Sequence, residues 1–196
     1  MKLGDISEIE SGLILSRKRA RNEFELVEEY KVLSLNNIEV HGDFNESSLE
    51  SFASNDKLDE RYFTKAGDVL LRLNEPFTAV YIQDHHAGVL IPSYFVAIQV
   101  TDDDFLPEYV SWYLNTDRVR RHFLRLQSGT KTPNINQKLL RELDVPSLPL
   151  DEQSNITTLN QLYLKERRLL EQLIEAKGTY YQGVTNKIIR EKLEEY

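Results

Sequence analysis

Val145-Pro146-Ser147-Leu148-Pro149-Leu150-Asp151-Glu152-Gln153 divides this 196-residue chain into two kinds of sequence. All six prolines (Pro76, Pro92, Pro107, Pro133, Pro146, Pro149) lie within this stretch or before it, and none follows. Proline removes a backbone donor and clashes with the preceding helical turn, so residues 151–196 are open to one uninterrupted helix. Asp151 suits its cap or first turn, and Glu152 favours the positive helix end. Apolar residues then recur at helical spacing. Ile156, Leu159, Leu162, Leu169 and Leu173 form one seam, and Tyr163, Leu170, Ile174, Tyr181, Val184 and Ile188 widen it. Gly178 and Gly183, each costing about 1 kcal/mol relative to alanine, mark the expected weak point. A helix of about 45 residues extends about 68 Å, longer than a domain of about 150 residues is wide. Part of that seam needs a partner, and a second copy of the chain is the expected one.

Outward from the divide, residues 1–150 read as mixed α and β. Strand runs are Tyr30–Leu35, leading into an Asn36-Asn37 loop, then Val69–Leu73 and Ala79–Ile82, then Val89–Ile91 and Tyr94–Val100. Pro107 opens a helix over Glu108–Leu114, where proline suits the first turn. A second helix carries Val119, Phe123, Leu124 and Leu126 on one side and Arg118, Arg120, Arg121 and Arg125 mostly on others, ending near Ser128-Gly129. The expected class is α+β: a globular domain over 1–150 followed by a helical element over 151–196.

The chain carries a formal charge of −8, but unevenly. Residues 1–117 hold 10 Lys+Arg against 22 Asp+Glu, whereas residues 118–141 hold seven cations and no acid. A second basic run is Arg17-Lys18-Arg19-Ala20-Arg21. An acidic body with two basic patches directs a polyanion to one face and repels it elsewhere. The polar stretch Gln127–Gln137 follows the arginine-rich helix, offering hydroxyls, amides and Lys131; it suits phosphate and base-edge contacts and equally an ordinary connector.

Chemistry is sparse. With no cysteine, disulfides, thiolate zinc sites and cysteine nucleophiles are excluded, which fits a cytoplasmic setting. The eight glycines form neither G-x-G-x-x-G nor G-x-x-x-x-G-K, and no serine sits in a G-x-S-x-G elbow. Asp102-Asp103-Asp104 lacks the alternation of a calcium loop and reads as a solvated turn before a helix. His85-His86, adjacent in an extended segment, would point their rings apart, so a surface turn is expected rather than a metal pair. No catalysis, cofactor, metal or membrane span is expected.

Several of these stretches together resemble type I restriction–modification specificity subunits. They are Lys2-Leu3-Gly4-Asp5-Ile6 with Ser11-Gly12, then Phe63–Leu71 containing Gly67-Asp68-Val69-Leu70, and Pro107–Asn115. Gln127-Ser128-Gly129-Thr130 with Asn134-Ile135-Asn136 and the opening stretch up to Gln153 complete the set, in the family's order, with Ser147 where the family usually has proline. Such subunits carry two recognition halves in tandem, and this chain resembles one half: a target recognition domain and one conserved helix.

The resemblance implies a DNA-binding, non-catalytic subunit that reads one half of a bipartite duplex target. Its long helix would pair antiparallel with a partner helix as a coiled coil and dock methyltransferase (modification) subunits, with a restriction subunit joining indirectly. Residues 1–150 then form the DNA-binding domain. The candidate phosphate contacts are Arg17, Lys18, Arg19, Arg21, Arg118, Arg120, Arg121, Arg125 and Lys131, with the hydroxyls of Ser128, Thr130 and Thr132 beside them. Asn36, Asn37, Arg72, Asn74, Asn134 and Asn136 are the candidate base readers. The competing reading is a protein-interaction module with a helical dimerisation arm and no DNA binding.

Overall fold

The computed structural model describes residues 1–126 and 135–194. Contacts divide the chain into two units, Met1–Thr157 and Thr158–Tyr196, each described by itself.

The first unit is built on a four-stranded antiparallel sheet of β1 (Ser7–Ser11), β4 (Val69–Arg72), β5 (Ala79–Tyr81) and β6 (Phe95–Val100), in the order β1-β6-β4-β5. A two-stranded ribbon pairs β2 (Glu28–Val32) with β3 (Glu50–Ser54). Among the described residues, four α-helices belong wholly to this unit: α1 (Leu3–Ile6), α2 (Pro107–Leu114), α3 (Asp117–Leu126) and α4 (Gln137–Arg141).

The central strands are apolar at consecutive positions because both faces of the sheet are covered. Val69, Leu71, Val96 and Ile98 face a core shared with Leu3, Tyr109, Val110, Val119, Phe123 and Leu140 from the helices. Leu70, Val80 and Phe95 face the opposite way, into a second cluster with Leu33, Ile38, Ile82 and Ile91. A third cluster, with Phe52, Val32 and Leu90, seats the β2–β3 ribbon.

Local signals act as their chemistry demands. Pro107 occupies the first turn of α2, and the Asp102 side chain accepts the Asp104 backbone N–H at 2.9 Å in the turn before it. Two α2 tyrosines bury their rings and donate their hydroxyls to backbone carbonyls, Tyr109 to Pro146 at 3.0 Å and Tyr113 to Asp144 at 2.8 Å. Gly12 is required by close approach: a Cβ there would collide with the carbonyl oxygens of Ile91 and Pro92.

Three expectations are corrected. The Tyr30–Leu35 strand starts two residues earlier and ends three earlier, at Glu28–Val32, because pairing with β3 ends at Val32↔Glu50 and the Leu33 N–H donates instead to the Leu90 carbonyl. Val89–Ile91 is no strand; Leu90 makes only single bridges, to Val32 and Phe63. Leu124 is exposed, and Val119 with Phe123 alone anchors that helix among its described side chains.

Helix α5 runs unbroken from Leu150 to Glu194, 45 residues, through both Gly178 and Gly183. Its first turns belong to the first unit. Gln153 is fully buried, its side-chain oxygen accepting from the Leu106 N–H at 2.9 Å and its amide donating to the carbonyls of Asp104 and Leu148 at 2.7 and 2.8 Å. Ile156 packs against the helix-side core, which removes it from the expected free seam. From residue 158 onward the seam is open in the single chain: Leu159, Leu162, Tyr163, Leu169, Leu170, Ile174, Tyr181 and Ile188 are each more than half exposed, and Leu173 and Val184 are exposed too. Among the described residues no helix is long and apolar enough to cross a membrane.

Candidate nucleic-acid interface

Helix α3 sorts its side chains by face. Arg118, Arg121 and Arg125 stand at i, i+3 and i+7, one stripe on a 3.6-residue period, and all three are exposed. Val119 and Phe123 on the opposite side are buried. Arg120, between the two faces, is half-buried with a shielded Nε that has no hydrogen-bond partner. The arginine stripe makes no ion pair among the described residues, so its charge is directed outward.

Two further candidates join this helix. Arg72 ends β4 and Asn74 lies in the turn after it, and the Arg72 Nε–H donates to the Asn74 side-chain oxygen at 2.7 Å. Phe77, on the same turn, meets Phe123 of α3 edge-on with ring centroids 5.7 Å apart. The Ile135 N–H donates to the Leu73 carbonyl at 3.0 Å, so the chain returns after residue 134 beside Arg72 and Asn74. Burial lowers the Arg72 pKa from its ordinary value. Ser128, Thr130, Lys131, Thr132 and Asn134 lie outside the described residues.

Asn136 is described, and its side chain is engaged as a cap: its oxygen accepts the Leu139 N–H at 2.9 Å at the start of α4. Next to it, Gln137 donates to the Ser11 hydroxyl at 2.9 Å. Ser11 in turn borders a cleft of about 490 Å³ lined by Glu10, Ser11, Gly12, Leu13, Ile14, Arg17, Lys18, Arg61 and Tyr62. The same cleft holds Arg17 and Lys18 of the Arg17–Arg21 run.

Within that run the cations differ. Arg17 and Arg21 are exposed. Lys18 is paired with Asp56 at 2.5 Å, and this contact holds the Asp56 carboxyl below its ordinary range. Arg19 lies over the Phe52 ring at 5.2 Å. Arg61, over the Tyr62 ring at 4.7 Å, adds a cation that sequence reading missed, since it stands within the acidic stretch beside Asp59 and Glu60.

Asn36 and Asn37 part company. Asn36 is exposed, but Asn37 is fully buried. The Asn37 oxygen accepts from the Ser34 N–H at 2.7 Å, and its amide donates to the Asn45 carbonyl at 2.7 Å and the Ser48 hydroxyl at 2.9 Å. With no exposed atom to offer a base, Asn37 holds its loop instead.

The family model described as type I restriction modification DNA specificity domain matches residues 1–176. Among solved structures, the chain is similar to the HsdS subunit from Thermoanaerobacter tengcongensis. Identity there is 15%, the TM-score is 0.66, and the match covers 88% of this chain and 43% of that one. It is similar as well to a chain from work on complex assembly and conformational transition of the type I R-M system, at 16% identity and TM-score 0.58, covering 88% and 39%. A third is the type I restriction–modification S subunit from M. genitalium, at 14% identity and TM-score 0.51, covering 86% and 40%. At these identities the likeness is one of fold, and this chain spans about two fifths of the length of each. No curated protein sequence matches it.

Proposed function

This chain belongs to the type I restriction modification DNA specificity domain family, and from that membership we propose that it reads one half of a bipartite target on double-stranded DNA. The carrying observation is that a single family model runs from residue 1 to residue 176, through the sheet domain and well into α5. The stripe of Arg118, Arg121 and Arg125 supports the DNA-facing role, because exposed cations with no ion-pair partner among the described residues suit phosphates. Arg17, Arg21 and Arg61 extend it, and Asn36, Arg72 and Asn74 supply groups for base edges.

Residues 158–194 serve a second role. Two copies associate through the exposed apolar residues of α5, antiparallel, as a C2 homodimer. A symmetric pair of readers recognises an inverted repeat with a fixed spacer, since site symmetry mirrors protein symmetry. The same helices dock methyltransferase subunits, which carry the chemistry, while a restriction subunit joins through them. The chain itself supplies the address and acts in the cytoplasm.

Selection from random duplexes, with the chain alone and with a type I modification subunit added, tests this reading. The expected product is a bipartite site with inverted half-sites. A chain that enriches no sequence in either setting, and whose weak DNA binding is unchanged by salt, is instead a protein-interaction module.

A further inference from the structure

Glu46, His85 and His86 come from two turns about forty residues apart and meet at one point. Glu46 opens the turn Glu46–Ser48, whose cap Asn45 accepts the Ser47 N–H on its side-chain oxygen at 3.0 Å. The histidines close the turn Asp84–His86, fixed by the His86 N–H on the Gln83 carbonyl at 2.9 Å and by the Thr64 hydroxyl donating to the His86 carbonyl at 2.7 Å. An extended segment would send adjacent rings to opposite sides; this tight turn brings them together.

Both Nε2 atoms approach the same Glu46 oxygen, at 3.2 Å from His86 and 3.8 Å from His85, and the three ligand atoms lie within 4.8 Å of one another. Tetrahedral sites with metal–ligand bonds of about 2.0–2.2 Å hold their donors roughly 3.2–3.6 Å apart. The two distances to the Glu46 oxygen, 3.2 and 3.8 Å, are close to that, and the remaining separation, no more than 4.8 Å, closes with side-chain shifts of about an ångström. The His86 ring is already held: it is 9% exposed, stacked on Phe44 at a centroid distance of 4.1 Å and 4.0 Å from the His85 ring. Glu46 and His85 are exposed, leaving access and room for a water as fourth ligand. Two neutral imidazoles and one carboxylate are intermediate donors with a net single negative charge, a set suited to zinc rather than calcium or magnesium.

We propose that Glu46, His85 and His86 bind one divalent transition-metal ion of the zinc class, with water completing the tetrahedron. The ion acts as a clamp between the Asp84–His86 turn and the loop that Asn37 ties to Asn45 and Ser48, the same loop that exposes Asn36. Its affinity is moderate. The buried His86 Nδ1 has no hydrogen-bond partner, and a ligating imidazole lacking that support loses about 10–100-fold. The proposal stands apart from DNA binding and is tested without it.

Calorimetric titration of the untagged, chelator-treated full chain with zinc chloride provides the test, alongside thermal unfolding with and without the metal. One ion per chain is expected, with a higher unfolding midpoint. Glu46→Gln and His85→Ala, both at exposed positions, are expected to weaken binding at least about tenfold and to abolish the midpoint shift while keeping native circular dichroism. A parent chain whose midpoint does not respond to zinc, or variants that bind it as tightly as the parent, overturns the proposal.

Discussion

Asn115 pairs with Ala79 as a neighbouring strand would: its side-chain oxygen accepts the Ala79 N–H at 2.8 Å, and its amide donates to the Ala79 carbonyl at 2.8 Å. Strand β5 is the edge of the four-stranded sheet, and an uncovered edge exposes a row of unpaired backbone groups. One side chain, at the C-terminal end of α2, closes this one. Gly42 fits against the same clamp at φ +91°, where a Cβ would stand 2.9 Å from both the Ala79 oxygen and the Asn115 amide nitrogen.

Asn115→Ala leaves both Ala79 groups unmet in a fully buried position. Each such loss costs about 1–3 kcal/mol, so a total near 3 kcal/mol is expected. Urea unfolding of the variant measures it. A loss under about 0.5 kcal/mol would mean that water replaces the clamp without penalty.

Asp68 gives a pH signature. It is 6% exposed, its carboxylate accepts the Lys65 N–H at 3.0 Å, and burial raises its pKa above the ordinary 3.8 despite that bond and the nearby Lys65 charge. In the window above 3.8, the unfolded chain has released this proton while the folded chain still holds it. The folded state then binds more protons, so stability falls as pH rises through the window. Asp68→Asn keeps an oxygen for the Lys65 N–H and cannot ionise. The variant is expected to match the parent at low pH and exceed it at neutral pH, as read by denaturant midpoints across the range. A variant less stable at neutral pH would assign the carboxylate charge a stabilising role.

What the sequence conveys depends on how many apolar side chains an element contributes. The long helix, the Pro107 helix and the strands at Val69 and Phe95 each bury several, so periodicity and proline placement reveal them. Strands β1 and β3 bury one hydrophobic residue each, Ile9 and Phe52, among serines and glutamates, and leave no pattern. The arginine stripe is visible because 118–141 contains no acid. Arg61 is masked by its acidic neighbours, and the meeting of Glu46 with His85 and His86 exists only after the chain folds. Asn37 errs the other way: a turn-forming asparagine looks available in sequence, yet its hydrogen-bonding groups are consumed by its own loop.

DNA affinity should separate arginine roles by salt. Arg121 is exposed and bonded to no described residue, so Arg121→Ala is expected to leave the fold unchanged and lower the slope of log affinity against log salt by about one, equally on all duplexes. Asn74→Ala should cost about 1–3 kcal/mol on the cognate site alone, although releasing Arg72 from its 2.7 Å bond contributes to that figure. Fluorescence anisotropy at several salt concentrations distinguishes them. An unaltered slope for Arg121→Ala removes α3 from the phosphate-contacting face.

Sedimentation addresses the helix. Leu169 and Leu173 stand four residues apart on one face of α5, and both are exposed in the single chain. Burying a leucine yields about 1.5–3 kcal/mol, and a two-fold interface contains each of them twice. Each is about half covered already in the single chain, at 56% and 49% exposed, so replacing both with aspartate removes roughly 3–6 kcal/mol of apolar burial from the dimer and sets charges where the helices meet. The double variant is expected to sediment as a monomer at concentrations where the parent is a dimer, with the helical circular dichroism of its first unit retained. Its affinity for an isolated half-site should persist while the advantage of two correctly spaced half-sites disappears, because joining two readers raises effective concentration without adding any contact to the DNA. A double variant that remains dimeric would move the interface off this face of α5, and a parent that is monomeric in every measurable range would leave the inverted-repeat reading without its physical basis.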